Sequence, residues 1–155
     1  MYLNEEQLKA LQQVELEMLV EIDRICRQNN ICYTLDSGTL LGAVRNKGFI
    51  PWDDDADVVM TRDAYERFYQ ACKTQLDTKR FFLQDYRTDN EYRWGYPKMR
   101  RKDSLFVRED QAMLPWHQGI FIDIFVYDNV PDTWIARRLH LIFCYESFKL
   151  FFFLN

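Results

Sequence analysis

Between Trp52 and Thr61 the chain passes from four aspartates in five positions, Asp53, Asp54, Asp55 and Asp57, straight into the apolar run Val58-Val59-Met60. Both halves constrain the fold. The apolar run is short and begins with two β-branched residues, which predicts a buried strand. Carboxylates at close range repel and raise one another's pKa, so such crowding is expected where something positive sits among them. If Asp55-Ala56-Asp57-Val58 enters the strand, Asp55 and Asp57 point to one face, because side chains alternate with a period of two. Two carboxylates so spaced suit an oxygen-seeking cation such as Mg2+, which would become the largest local charge. A solvated acidic turn is the competing reading, and it fits Asp53 and Asp54 better than Asp57.

The segments around this cluster read clearly. Leu8, Leu11, Met18, Leu19, Ile22, Ile25 and Cys26 recur at helical spacing, which predicts an amphipathic helix from Glu5 to Gln28. Asn29-Asn30 ends it, since asparagine tolerates a left-handed cap. Ile31 to Leu35 reads as a short strand, Asp36-Ser37-Gly38-Thr39 as a turn, and Leu40 to Arg45 as a short helix. Thr61 is an N-cap, with Asp63 in the first turn of a helix that runs to Leu76 and buries Ala64, Tyr65, Phe68, Tyr69 and Cys72. Phe81 to Gln84, Tyr96 to Arg100 and Ser104 to Val107 are candidate strands. Gly119 to Tyr127 is the clearest, with Ile120, Ile122 and Ile124 on one face and Phe121, Asp123 and Phe125 on the other. Asp132 is the expected cap of a last helix from Thr133. This order gives an α+β layout, a mixed sheet with helices packed over it.

Asp123 is the only charge in an apolar strand, and a buried carboxylate is costly unless paired. It reads either as a structural ion pair or, beside Asp55 and Asp57, as the third carboxylate of a metal site. Leu35-Asp36-Ser37-Gly38-Thr39, a strand opening through Ser-Gly into a helix, presents amides and a hydroxyl that suit a phosphate. As a lone motif it is weak, and a plain turn explains it better.

At 155 residues the chain fits one domain, and 48% apolar with 16% aromatic residues argues for a folded core. A net charge of −4 argues against a nucleic-acid partner, despite the local cluster Lys98, Arg100, Arg101 and Lys102. Cys26, Cys32, Cys72 and Cys144 have no paired spacing and are expected as reduced, buried thiols. The N-terminus lacks the pattern of a signal peptide. The apolar tail from Leu139 to Leu154, interrupted by His140, Glu146 and Lys149, is too short and polar to read as a membrane span. Its apolar end calls for cover, by more protein or by a lipid surface.

Three other readings of the acidic cluster compete. An EF-hand needs Gly at its sixth place and Glu at its twelfth, where counting from Asp53 gives Val58 and Ala64. A phosphatase-type Asp-x-Asp follows an apolar strand, whereas here the apolar run comes after. A glycosyltransferase of nucleotide-sugar type also uses an Asp-x-Asp metal motif, and that reading stands.

The run from Leu35-Asp36-Ser37-Gly38-Thr39-Leu40-Leu41-Gly42-Ala43-Val44-Arg45 through Gly48-Phe49-Ile50-Pro51-Trp52-Asp53-Asp54-Asp55-Ala56-Asp57 resembles the signature of the LicD family. Pro97-Lys98-Met99-Arg100 resembles its intervening motif, and Ile122-Asp123-Ile124-Phe125 with Asp128 its later one. Val126 departs from the proline common there, and family members usually continue well past position 155. The resemblance implies a nucleotidyltransferase-like mixed sheet flanked by helices, one domain over 1–155 that is incomplete at its C-terminus. It is similar to phosphocholine transferases that modify bacterial surface glycans from CDP-choline, a group related to fukutin, which uses CDP-ribitol.

The implied activity is a Mg2+-dependent phosphotransferase, with Mn2+ as a substitute ion. It would move phosphocholine or a related alcohol phosphate from a CDP-linked donor to a hydroxyl of a glycan such as lipopolysaccharide or teichoic acid. The implied catalytic residues are Asp55, Asp57 and Asp123, and the same three with Asp53 are the metal ligands. Ser37, Gly38, Thr39, Arg45, Trp52 and Lys98 are the expected substrate-binding residues. Trp52 and Trp94 could stack on a base or enclose a quaternary ammonium. The expected setting is cytoplasmic, at the inner face of the cell membrane, with a lipid-linked glycan as acceptor and the apolar tail in peripheral contact with the membrane. A glycosyltransferase and an inactive remnant remain the alternatives.

Overall fold

The structure, a computed structural model, describes residues 3–107 and 112–153. Helix α1 (Glu5–Gln28) starts with a capping box. Asn4 Oδ1 accepts from the Gln7 N–H at 2.8 Å, and Gln7 Oε1 accepts from the Asn4 N–H at 3.0 Å. The helix ends at Asn29, and Asn30 takes the left-handed conformation expected there (φ 51°). Strand β1 is only Thr34–Leu35. It is shorter than expected because the Ile31 N–H bonds the Cys26 carbonyl at 2.9 Å, closing the helix end instead of joining a ladder. Helix α2 (Ser37–Arg45) opens earlier than expected, within the predicted turn.

Strand β2 (Asp57–Thr61) feeds directly into α3 (Arg62–Gln75), capped by Thr61 as expected. Strands β3 (Phe81–Gln84), β4 (Lys98–Arg101) and β5 (Phe121–Tyr127) follow, then α4 (Trp134–Phe153). The sheet order is β1-β2-β5-β4-β3, and β2 with β5 is its parallel pair. The α+β class and the mixed sheet agree with the sequence. Strand β4 begins at Lys98, after Pro97, which has no N–H to give. The stretch Ser104–Val107 is not a strand: Asp103 turns left-handed (φ 54°), and the Ser104 hydroxyl, not its backbone, takes the Ile120 N–H at 3.0 Å. At the start of α4 the cap is Thr133 and not Asp132, since Thr133 Oγ1 accepts from the Ala136 N–H at 3.4 Å.

One face of the sheet is apolar. Val58, Met60, Phe81, Leu83, Met99, Ile122 and Ile124 pack there with Met18, Ile22 and Ile25 of α1 and Phe68 and Cys72 of α3. Tyr69, expected in this core, is only half-buried. Cys26 and Cys72 are buried free thiols, whereas Cys32 and Cys144 are exposed, against expectation. Among the described residues no helix is long and apolar enough to cross a membrane, although Trp134, Ile135, Leu139, Ile142 and Phe143 of α4 are exposed.

Candidate active site

The other face of the sheet carries a polar row. Asp57 of β2 lies opposite Asp123 of β5, Asp123 opposite Lys98 of β4, and Lys98 opposite Gln84 of β3. Neighbouring strands are about 4.8 Å apart, so four polar side chains follow one another across four strands, and all four are buried. The alternation in β5 that puts Ile122 and Ile124 into the core delivers Asp123 to this face. The expected isolated charge in an apolar strand is therefore real, and it is paired: the Lys98 ammonium donates to Asp123 Oδ1. That ammonium also stands 3.7 Å from the Phe121 ring centroid. Lys98 itself is 3% exposed.

Beside the row sits the acidic loop. Strand β2 starts at Asp57 rather than at Asp55, so Asp55 belongs to the loop with Asp53 and Asp54. These three can bring one carboxylate oxygen each within 4.8 Å of one another, a spacing that would let them share one ion. Asp57 and Asp123 stand outside that trio, on the sheet face. The loop is fixed from α1, where Gln12 Nε2 donates to the carbonyls of Ile50 (3.1 Å) and Asp53 (2.9 Å).

Helix α2 fixes the other side. The Asp57 N–H donates to Thr39 Oγ1 at 2.8 Å, and the Asp36 N–H donates to the Asp57 carbonyl at 3.1 Å. A Cβ on Gly38 would lie 2.5 Å from Asp53 Oδ2, so the Asp53 carboxylate occupies the space that only glycine leaves. Gly42 plays a similar part, because a Cβ there would meet the Gly48 carbonyl at 2.6 Å.

The electrostatics follow from this crowding. Burial first, then Asp55 and Asp123 among its neighbours, push the Asp57 pKa up to about 7. Burial and the charges of Asp55 and Asp54 likewise raise that of Asp53.

The sequence between residues 30 and 149 matches the model of the family described as LicD/FKTN/FKRP, nucleotidyltransferase domain. The chain belongs to the LicD family. It is 35% identical over 127 residues to the lipopolysaccharide cholinephosphotransferase LicD of Haemophilus influenzae, a match that covers 81% of this chain and 46% of that protein. An uncharacterised protein of Rickettsia prowazekii is 38% identical over 39% of this chain and 30% of its own length. The chain thus spans about half the length, or less, of the curated relatives it matches.

In this LicD-family chain the structure gathers Ser37, Gly38, Thr39, Asp53, Asp55, Asp57, Asp123 and Lys98 around one end of the sheet. It does not bring Arg45 there. Arg45 closes α2 eight residues beyond Ser37, about 12 Å along the axis, where it is exposed and donates to Asn46 Oδ1 at 2.9 Å. Thr39 is buried and spends its hydroxyl on Asp57. Trp52 is 74% exposed beside the acidic loop, so it is no core residue. Trp94 stacks on Tyr96 with centroids 6.5 Å apart, and Tyr96 meets Phe125 at 4.9 Å, forming an aromatic wall next to Lys98. Asp128, matched to the later LicD motif, is held by Arg62 through two bonds of 2.7 and 2.9 Å.

Two groups escaped the sequence reading. Arg100 is buried on the same face, donating to Gln84 Oε1 at 2.7 Å and the Gly119 carbonyl at 2.8 Å. Glu15 of α1 is buried too, and a signal for it existed: it occupies a position of the stripe Leu11, Met18, Ile22, Ile25 where an apolar residue is expected.

Proposed function

We propose that this chain is the donor-binding part of a phosphotransferase that moves phosphocholine, or a related alcohol phosphate, from a CDP-linked donor to a hydroxyl of a cell-surface glycan. Membership of the family supports this reading, as does the relative named a lipopolysaccharide cholinephosphotransferase. The observation that carries it is the row of Asp57, Asp123 and Lys98 on adjacent strands, abutting the Asp53–Asp55 loop.

The donor set fits a divalent cation. It consists of carboxylate oxygens, and burial and their mutual repulsion, which raise the pKa of Asp53 and Asp57, are a penalty that a cation would lift. Asp53, Asp55 and Asp57 would hold Mg2+ or Mn2+, with Asp123 one strand away. When bound, the ion would offset the negative charge of the donor's diphosphate.

The chain's own groups carry the remaining work. Asp123 accepts the proton of the attacking hydroxyl, and its bond to Lys98 fixes the direction of its carboxylate. Lys98 opposes the charge that gathers on the transferred phosphoryl oxygens. Ser37 and Gly38, at the start of α2, offer a hydroxyl and an amide to the donor phosphate. Trp52, exposed beside the loop, would stack on the donor's base.

Calorimetry with CDP-choline, with and without Mg2+, tests the reading. Binding that needs Mg2+ and disappears in the double variant Asp55→Asn, Asp57→Asn is the expected result. Binding of UDP-sugars in place of CDP-choline would replace it with a glycosyltransferase. A folded sample that binds neither would overturn it.

A further inference from the structure

Glu15 points to a deeper part of the same centre. Its residue is 1% exposed, and its Oε2 has no hydrogen-bond partner. A buried carboxyl oxygen left unsatisfied is unfavourable, so a position like this calls for an explanation. Its surroundings are unusual for a core side chain. Burial first, and then the charges of Asp55, Asp54, Asp53 and Asp57, push its pKa up to about 9.

The backbone explains how it comes to face them. Gln12, three residues earlier and therefore on the same side of α1, is bonded to the carbonyls of Ile50 and Asp53. This face of α1 is thus docked on the acidic loop. Leu11 and Met18, the other neighbours in the stripe, are buried apolar groups. Without a cation, Glu15 would serve neither the core nor the surface. A divalent ion held by the loop would give its carboxylate a partner.

We propose that Glu15 of α1 contributes a fourth carboxylate to the divalent-cation centre of Asp53, Asp55 and Asp57, reaching it from the core side of the acidic loop. This rests on the reading of that loop as a cation site, and it extends the centre from the loop and the sheet to the N-terminal helix.

The test is Mn2+ binding to the full chain, followed by calorimetry and by the paramagnetic signal of free Mn2+. Glu15→Gln keeps the shape and removes the charge, and Glu15→Leu serves where Gln fails to fold. Either variant should weaken Mn2+ binding at least tenfold and shrink the rise in Tm that Mn2+ gives the wild type. The Tm of the ion-free protein should not fall. Affinity within twofold of wild type in a folded variant would overturn the role of Glu15 while leaving the loop as the cation site. Absence of Mn2+ binding by the wild type itself would overturn both.

Discussion

At the scale of single residues, the pairing of Lys98 with Asp123 decides how the polar face survives inside the fold. Both side chains are almost fully buried. Breaking a buried pair by removing one partner costs about 3–5 kcal/mol, whereas replacing both by apolar groups is often neutral. Lys98→Met should therefore lower urea stability by roughly that amount, and adding Asp123→Leu should restore most of it. The single variant Asp123→Asn should retain the fold but lose turnover by about 10²–10⁴ if Asp123 takes the proton. A double variant as unstable as Lys98→Met would show that the lysine acts by packing over Phe121 and not through its charge. Asp123 was legible as a residue of interest because its neighbours in the strand are apolar. Its partner was not, because Lys98 was expected to meet the substrate, and only the β4–β5 register reveals that it lies opposite Asp123.

At the scale of elements, the joint between α2 and β2 shows what local patterns can and cannot disclose. The long helix α1 agreed with its expected bounds, since seven apolar residues at helical spacing and an Asn at each end leave little freedom. The short elements shifted. Strand β1 lost its first residues to the end of α1, and β2 began two residues after Asp55, at Asp57, whose backbone bonds Thr39 and Asp36. Such bonds join segments far apart in sequence, so no window of residues contains them. Thr39→Val keeps the side-chain shape and removes the acceptor for the buried Asp57 N–H. It should destabilise the fold by about 1–3 kcal/mol, the cost of an unsatisfied buried donor, while Thr39→Ser should cost much less. Equal unfolding midpoints for the two variants would show that the hydroxyl contributes nothing to this joint.

At the scale of the whole molecule, the site stores like charge against a domain that must still fold. Glu15 and Asp57 have native pKa values of about 9 and about 7, against about 4 in an unfolded chain. Between these limits the ion-free native state holds protons that the unfolded state has released, so stability falls as pH rises. Unfolding in urea with a chelator present should show a steady loss between pH 5 and 9, and Glu15→Gln should remove the part nearest pH 9. A flat profile for the wild type would mean that neither carboxyl is held neutral.

The mixed α+β sheet could be foreseen from the order of elements along the chain, and the grouping of Asp57 with Asp123 from the resemblance to the LicD family. The involvement of α1 could not, because a single Glu in an apolar stripe also occurs at the margin of an ordinary amphipathic face.

The parallel pairing of β2 with β5 bears on the order in which the molecule assembles. Hairpin partners such as β3 and β4 can meet early, since little chain must be closed between them. Strands β2 and β5 are separated by α3, β3 and β4, and a contact between such distant segments forms slowly and only with the rest of the sheet in place. Asp57 and Asp123 share a face only after that ladder closes. A nascent or partly opened chain therefore has its acidic loop but not the adjoining carboxylates of the sheet, and the candidate site stays incomplete until the topology is closed.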